Sequence, residues 1–165
     1  MKKLTNKKWL NLFETNQGYL FASRKNDPLD KKADAVVVVP IIKETNDIIM
    51  IKEFRPAVNK YVWSFPAGLI DNGEDPIVSA KRELKEELGL DTDNLIAQTP
   101  PILSSPGMTD ERVIIFFFHV FGDITPEKGI EYKRFSRDDG IRFLKTHGRE
   151  ELDAKSYLSL IFLIY

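Results

Sequence analysis

Apolar residues fall into two rhythms along this chain, and each predicts a different kind of element. Residues 35–42 (Ala-Val-Val-Val-Val-Pro-Ile-Ile) form a continuous, largely β-branched run. Such a run predicts a strand covered on both faces. Turn-forming Glu44-Thr45-Asn46-Asp47 follows, then a second run over 48–54, so the pair predicts a hairpin. Further strands are expected over 18–24, 61–65, 113–121 and 131–135. A weaker one over 96–103 is interrupted by Pro100-Pro101. Asn26-Asp27-Pro28 reads as a turn, and 66–74 and 104–111 read as loops.

The second rhythm is helical. Ile77, Ala80, Leu84 and Leu88 recur every three or four residues and form one apolar stripe. Asp75 is a favoured N-cap, Pro76 a favoured first helical residue, and Gly89 stands where a glycine cap ends a helix. Two more helices are expected over 138–146 and 151–164, separated by Gly148. Strands through the first two-thirds, one internal helix and helices at the end predict an α+β or sandwiched α/β/α domain with a mixed sheet.

Composition narrows the function more than the fold. The 165 residues fit one domain with a substantial core. With 24 Lys+Arg against 25 Asp+Glu, the net charge of −1 argues against a general nucleic-acid binder. Cysteine is absent, which excludes disulfides, thiolate metal sites and cysteine nucleophiles. The longest apolar stretches, 35–42 and 158–165, are far short of the roughly 20 residues that span a membrane. Lys2, Lys3, Lys7 and Lys8 open the chain without a following apolar core, so no secretory signal is expected. These features predict a cytoplasmic protein without membrane or nucleic-acid partners. The neutral total hides an asymmetry: residues 1–33 hold eight basic and three acidic residues, and 68–94 hold three basic and eight acidic ones.

That acidic segment contains the candidate chemistry. At 100° per residue, Glu83, Glu86 and Glu87 span about 100° of one helix face. Like charges so placed destabilise a helix unless a cation compensates them. A solvated face balanced by Lys81, Arg82 and Lys85 is one reading. A carboxylate cluster for a hard cation, Mg²⁺ or Mn²⁺, is the other.

The wider spacing favours the second reading. Gly68, five residues, Glu74, seven residues, Arg82-Glu83-Leu84, one residue, Glu86-Glu87, one residue and Gly89-Leu90 match every specified position of the box that defines the Nudix hydrolases. Nine such matches arise by chance on the order of once in a billion starting positions. The chain therefore resembles that family. The resemblance implies a Nudix α/β/α sandwich with a mixed β-sheet and a Mg²⁺-dependent cleavage of a diphosphate, with Mn²⁺ as an alternative metal. It implies Glu83 and Glu87 as principal metal ligands, Glu86 close to the same metals, and the backbone carbonyl of Ala67 as a further ligand. Arg82 would orient carboxylates, and Glu74 would either brace Arg82 or join the metal shell.

Flanking residues resemble the ADP-ribose pyrophosphatase branch. Phe54-Arg55-Pro56 precedes the box, Pro66-Ala67-Gly68 opens it, and Pro106 lies 16 residues past Leu90 in Ser105-Pro106-Gly107-Met108-Thr109-Asp110-Glu111. By this resemblance Arg55, Pro106, Met108 and Glu111 are substrate-binding candidates. A strand-end arginine, a plain turn and a gap-filling Met108 are the structural alternatives. The branch often carries a catalytic glutamate in a late loop. Here the stretch 125–131 offers Glu127 first and Glu131 second, with Lys128 beside Glu127 and Glu86 as a third choice. His119 among strand aromatics reads as structural, and His147 as a helix-end dipole partner.

In that branch an N-terminal segment often exchanges across a homodimer. Residues 1–33 are expected to be such a segment, and 34–165 the catalytic domain. Trp9, Phe13, Tyr19 and Phe21 would then pack at a core or interface, or line a base-stacking wall. The resemblance predicts a nucleoside diphosphate sugar substrate, ADP-ribose foremost, cleaved to AMP and ribose 5-phosphate. The alternatives are a GDP-sugar, a dinucleoside polyphosphate, an NTP, or a non-catalytic nucleotide sensor.

Overall fold

The computed structural model describes residues 1–28, 30–146 and 151–164. Gly148 and His147 lie outside the described residues, and so does the junction expected there. The centre of the molecule is a mixed nine-stranded sheet. Its continuous path is β12 (Glu151–Leu152), β6 (Lys60–Ser64), β5 (Ile48–Arg55), β4 (Ala35–Ile42), β10 (Arg112–Phe121) and β8 (Asp91–Gln98). Off this path, β7 (Ala67–Leu69) pairs with β4, β9 (Ile102–Leu103) with β10, and β11 (Glu131–Phe135) with β5. The β4–β10 and β12–β6 pairs are parallel, and the other pairs in this sheet are antiparallel.

The continuous apolar runs follow from burial on both sheet faces. Successive strand residues point to opposite faces. On one face, Val36, Val38, Ile49, Ile51, Ile114 and Phe116 pack with Ala80, Leu84 and Leu88 of α1 (Pro76–Leu88). On the other, Val37, Val39, Met50, Trp63, Ile115 and Phe117 pack with Phe143 and Leu160. Those last two belong to α2 (Arg137–Thr146) and α3 (Ala154–Ile164). Helices thus cover both faces, and the architecture is an α/β/α sandwich.

One fork in this sheet creates the site. At one end β4 pairs with β5 through Ile41 and Ile48. Towards its other end β4 takes β7 as its neighbour, through Ala35–Leu69, Val36–Gly68 and Val37–Ala67. The chain segment that opens the acidic helix is therefore stitched into the sheet, where the sequence predicts a plain loop. Three residues centred on a glycine carry little strand signal.

Other boundaries also move. β8 begins at Asp91, ahead of the expected 96, because pairing with β10 recruits polar residues of low strand propensity. Glu151–Leu152 is a short strand beside Val62–Trp63, where a helical start is expected; the helix begins after its cap, Asp153. The N-terminal segment forms its own antiparallel sheet from β1 (Lys2–Lys3), β2 (Asn11–Glu14) and β3 (Leu20–Ser23). Phe13 and Phe21 stack there with centroids 5.7 Å apart. This sheet docks on the 104–111 loop: Ala22 N–H donates to the Met108 carbonyl at 2.9 Å, and the Tyr19 hydroxyl donates to the Gly107 carbonyl.

The cap of α1 carries a testable requirement. Gly89 has φ +72°, and a Cβ there would stand 1.8 Å from Thr125 Oγ1. Thr125 N–H also donates to the Leu88 carbonyl at 2.8 Å, so the contact cannot open freely. Gly89→Ala should lower unfolding free energy by about 1–3 kcal/mol in urea titration. Gly107→Ala, with nothing near the added Cβ, should shift it by less than about 0.5 kcal/mol. Equal effects would refute this account of the cap.

Candidate active site

The acidic helix is fixed at both ends before it presents anything. Asp75 Oδ1 accepts from Ile77 N–H at 3.0 Å. At the other end Gly89 N–H donates to the Lys85 carbonyl at 2.9 Å, and Lys85 Nζ donates to the Gly89 carbonyl at 3.1 Å. With the apolar stripe turned into the sheet, Glu83 and Glu87 fall along the edge facing β7. Each retains only 9% of its accessible surface, while the side chain of Glu86 is 56% exposed.

Two local features make this burial tolerable. A Cβ on Gly68 would lie 2.0 Å from Glu83 Cδ and Oε1, so the glycine leaves the space that the carboxylate fills. Arg82 supplies the compensating charge. Its guanidinium donates to Glu83 Oε1 at 2.6 Å, Glu86 Oε2 at 3.2 Å, Glu74 Oε2 at 3.2 Å and the Leu69 carbonyl at 3.1 Å. Glu74 therefore braces Arg82; Ser79 Oγ donates to it at 2.6 Å. The hydrogen bonds from Arg82 and Ser79 hold the Glu74 carboxyl below the usual glutamate range. Arg82 is held more firmly protonated than usual, chiefly by its bond to Glu74.

Glu87 has no such support. Burial, and then the charges of Glu53 and Glu83, push its carboxyl up to about 8, despite a hydrogen bond from the Ala67 backbone. Its buried Oε2 has no hydrogen-bond partner. Burial likewise raises Glu83, and it raises Glu53, which also feels Asp153 and Glu127. An orphaned carboxylate oxygen, a glycine cradle and a set of hard oxygen donors all fit a divalent cation. Among the described residues, no three metal-ligating side chains already converge on one point. Arg82 holds Glu83 and Glu86 to its own side instead.

A groove of about 340 Å³ opens beside this edge. Ala35–Val37 and Ala67–Leu69 line it, as do Arg24, Arg55, Glu111, Asp153 and Lys155. Arg55 pairs with Glu53 two residues earlier, on the same face of β5. Glu111 accepts from Ser104 Oγ at 2.7 Å and Arg24 Nε at 3.1 Å. Burial alone would raise its carboxyl, but these bonds bring it below the ordinary value.

The structure thus brings Ala67, Arg82, Glu83, Glu86, Glu87, Arg55 and Glu111 together. Glu127 joins them through its backbone, donating from N–H to the Glu87 carbonyl at 3.1 Å. Glu131 pairs with Lys52 in β11–β5. Lys52 Nζ sits 5.3 Å from the Trp63 ring centre on the opposite sheet face, so Glu131 faces away from Glu87. Pro106 and Met108 stand outside the groove; Met108 is 72% exposed and meets β3 through its backbone carbonyl. A second cavity of about 410 Å³, beside Ile41 and His119, lies away from the carboxylates. There His119 Nδ1 pairs with Asn94 Nδ2 at 2.9 Å, in keeping with a structural role.

Sequence reasoning passes over Glu53, Arg24, Asp153 and Lys155. Glu53 has a usable signal: it extends the inward positions Ile49 and Ile51 with a charge. Arg24, Asp153 and Lys155 reach the groove through long-range packing and have no local signature.

A model of the NUDIX domain matches residues 31–156. The chain is 36% identical over 144 residues to the mouse (Mus musculus) protein "ADP-sugar pyrophosphatase", covering 77% of this chain and 65% of that one. It is 28% identical over 138 residues to the Bacillus subtilis (strain 168) protein "ADP-ribose pyrophosphatase", covering 80% and 73%. The chain thus spans just under two thirds of the mouse relative's length. A crystal structure of an ADP compounds hydrolase superimposes with a TM-score of 0.71 at 21% identity, covering 99% of this chain and 88% of that one. The fold is shared with that structure.

Glu87 gives the metal-free protein a pH signature. Its carboxyl titrates near 8 when folded, against 4.5 for a free glutamate, so the folded state binds the proton more tightly. Its contribution therefore lowers stability as pH rises between those values. The melting temperature measured in EDTA should fall from pH 5.5 to 8.5, and Glu87→Gln should flatten that slope. An unchanged slope in the variant would contradict this account of Glu87.

Proposed function

The chain belongs to the NUDIX domain family, and from that premise we propose that it hydrolyses the diphosphate linkage of a nucleoside diphosphate sugar with Mg²⁺. ADP-ribose, giving AMP and ribose 5-phosphate, is the foremost substrate. The observation that carries this reading is the near-burial of Glu83 against Gly68 and of Glu87 against the Ala67 backbone, beside a groove that Ala67, Gly68, Arg55 and Glu111 line. The names of the mouse and Bacillus subtilis relatives support the choice of substrate.

Glu83 and Glu87 would hold the metal, with Glu86 and the Ala67 carbonyl as further oxygen donors. When bound, a divalent cation would neutralise diphosphate charge and make a water more acidic. The chain's own residues do the rest. Arg55 offers a forked donor to a phosphate oxygen. Arg82 keeps the carboxylates in register. Hydrolysis forms one P–O bond from water and breaks the bridging P–O bond, and the water's proton passes to a carboxylate. Glu127 is the favoured acceptor, supported by its hydrogen bond to the Glu87 backbone and by its charge reaching Glu53. We read the molecule as a cytoplasmic homodimer; exposed Trp9, Leu10, Tyr19 and Leu20 in the N-terminal segment support a partner-facing surface there.

Turnover assays on ADP-ribose, GDP-mannose, a diadenosine polyphosphate and NTPs with Mg²⁺ test the substrate. The highest kcat/KM should fall on ADP-ribose. Tight nucleotide binding without turnover of any of them would instead mark a sensor. Glu127→Gln should lower kcat by at least about a hundredfold, whereas Glu131→Gln should change it by less than about tenfold. The reverse order would overturn the choice of base.

A further inference from the structure

We propose that Lys155, in the first turn of α3, binds a phosphate oxygen of the substrate in the same groove. This rests on the diphosphate reading above and extends it to an element outside the acidic helix and its loop.

The first turn of α3 is held firmly against the site. Asp153 N–H donates to the Trp63 carbonyl at 3.2 Å, and the Asp153 carbonyl accepts from Tyr157 N–H at 3.0 Å. Asp153 Oδ1 accepts from Lys155 N–H at 2.9 Å, and Oδ2 accepts from Ser156 Oγ. Ser156 Oγ in turn accepts from Phe65 N–H at 2.9 Å, two residues before Ala67. The backbone of Lys155 is therefore anchored to the strand that feeds the Ala67–Gly68 segment, and its side chain joins that segment in lining the groove.

Three cations reach this groove from three elements: Arg24 after β3, Arg55 at the end of β5, and Lys155. They are not equivalent. Arg24 is engaged by Glu111 at 3.1 Å, and Arg55 is in close contact with Glu53. Lys155 Nζ stands 3.4 Å from Asp153 Oδ1, an oxygen that already accepts the Lys155 N–H. Its ammonium is the most loosely held of the three. Its charge nevertheless reaches Glu111, also on the groove. A lysine ammonium with three donors and a loose partner suits a phosphate oxygen, whose charge it meets as a point charge. Ala67 and Gly68, against which Glu87 and Glu83 pack, line one groove with the loosely held cation, as a metal-neutralised diphosphate requires.

The test uses inorganic pyrophosphate and ADP-ribose with the Mg²⁺-loaded protein. Pyrophosphate binding is measured by calorimetry for wild type, Lys155→Ala, Lys155→Gln and Lys155→Arg, with melting temperatures alongside. Both neutral variants should weaken pyrophosphate binding and raise the ADP-ribose KM by at least about fivefold, with kcat within about threefold. Lys155→Arg should recover most of the affinity, and the salt dependence of kcat/KM should flatten in the neutral variants. If pyrophosphate binding and KM stay within about twofold of wild type in folded neutral variants, Lys155 does not bind phosphate. If wild type fails to turn over ADP-ribose yet shows the Lys155-dependent pyrophosphate binding, this inference stands and the substrate reading falls.

Discussion

The Glu83 carboxylate lies where a side chain on residue 68 would have to be. Everything else at the site depends on that contact. It requires glycine at the centre of β7, and it requires β7 to be held in the sheet so that the glycine meets the helix. It also commits a charged group to near burial, a costly arrangement unless partners compensate it. Arg82 is that compensation for Glu83: one planar fork gathers Glu74, Glu83, Glu86 and the Leu69 carbonyl. Removing Arg82 would leave the near-buried Glu83 charge without its compensating partner. Glu87 shows the stranded state directly, with an unpartnered oxygen and a carboxyl that holds its proton to about 8.

Fold and site are linked through the fork in the sheet. β4 takes β5 as its neighbour at one end and β7 at the other, which opens the sheet beside Gly68. Elements distant in sequence converge there: Arg24 after the N-terminal sheet, Arg55 from β5, Glu111 before β10, and Asp153 with Lys155 from the C-terminal helix. Ala67 and Gly68, against which Glu87 and Glu83 pack, form one wall of the groove, and Arg24, Arg55 and Lys155 stand around it. That division suits a ligand whose charge is shared between a cation and basic side chains.

The most legible parts of the sequence were those whose cause is local. Asp75, Pro76 and Gly89 mark the helix ends by capping chemistry, and α1 runs between them. The run 35–42 is β4 to the residue, because burial on both faces leaves no polar gap. Gly68, Arg82, Glu83 and Glu87 were legible as a spaced constellation, and their close packing now has a physical reason. What stayed hidden was set by distant contacts. β7 exists because β4 offers a partner, not because Ala-Gly-Leu favours a strand. β1 and β2 carry little strand signal because their apolar residues are sparse, and Phe13 is covered by long-range contacts with Phe21 and Lys3. Lys155 resembles any helix-start lysine until Phe65 and Ser156 fix it beside the groove.

The central claim is that the space left by Gly68 lets Glu83 join Glu87 in holding a divalent cation. Calorimetric titration of Mn²⁺ into wild type and Gly68→Ala tests it most directly, with circular dichroism to confirm that both are folded. The account predicts one or more Mn²⁺ sites in the wild type and an affinity at least about tenfold weaker in the variant. Equal Mn²⁺ affinity in two equally folded proteins would contradict it.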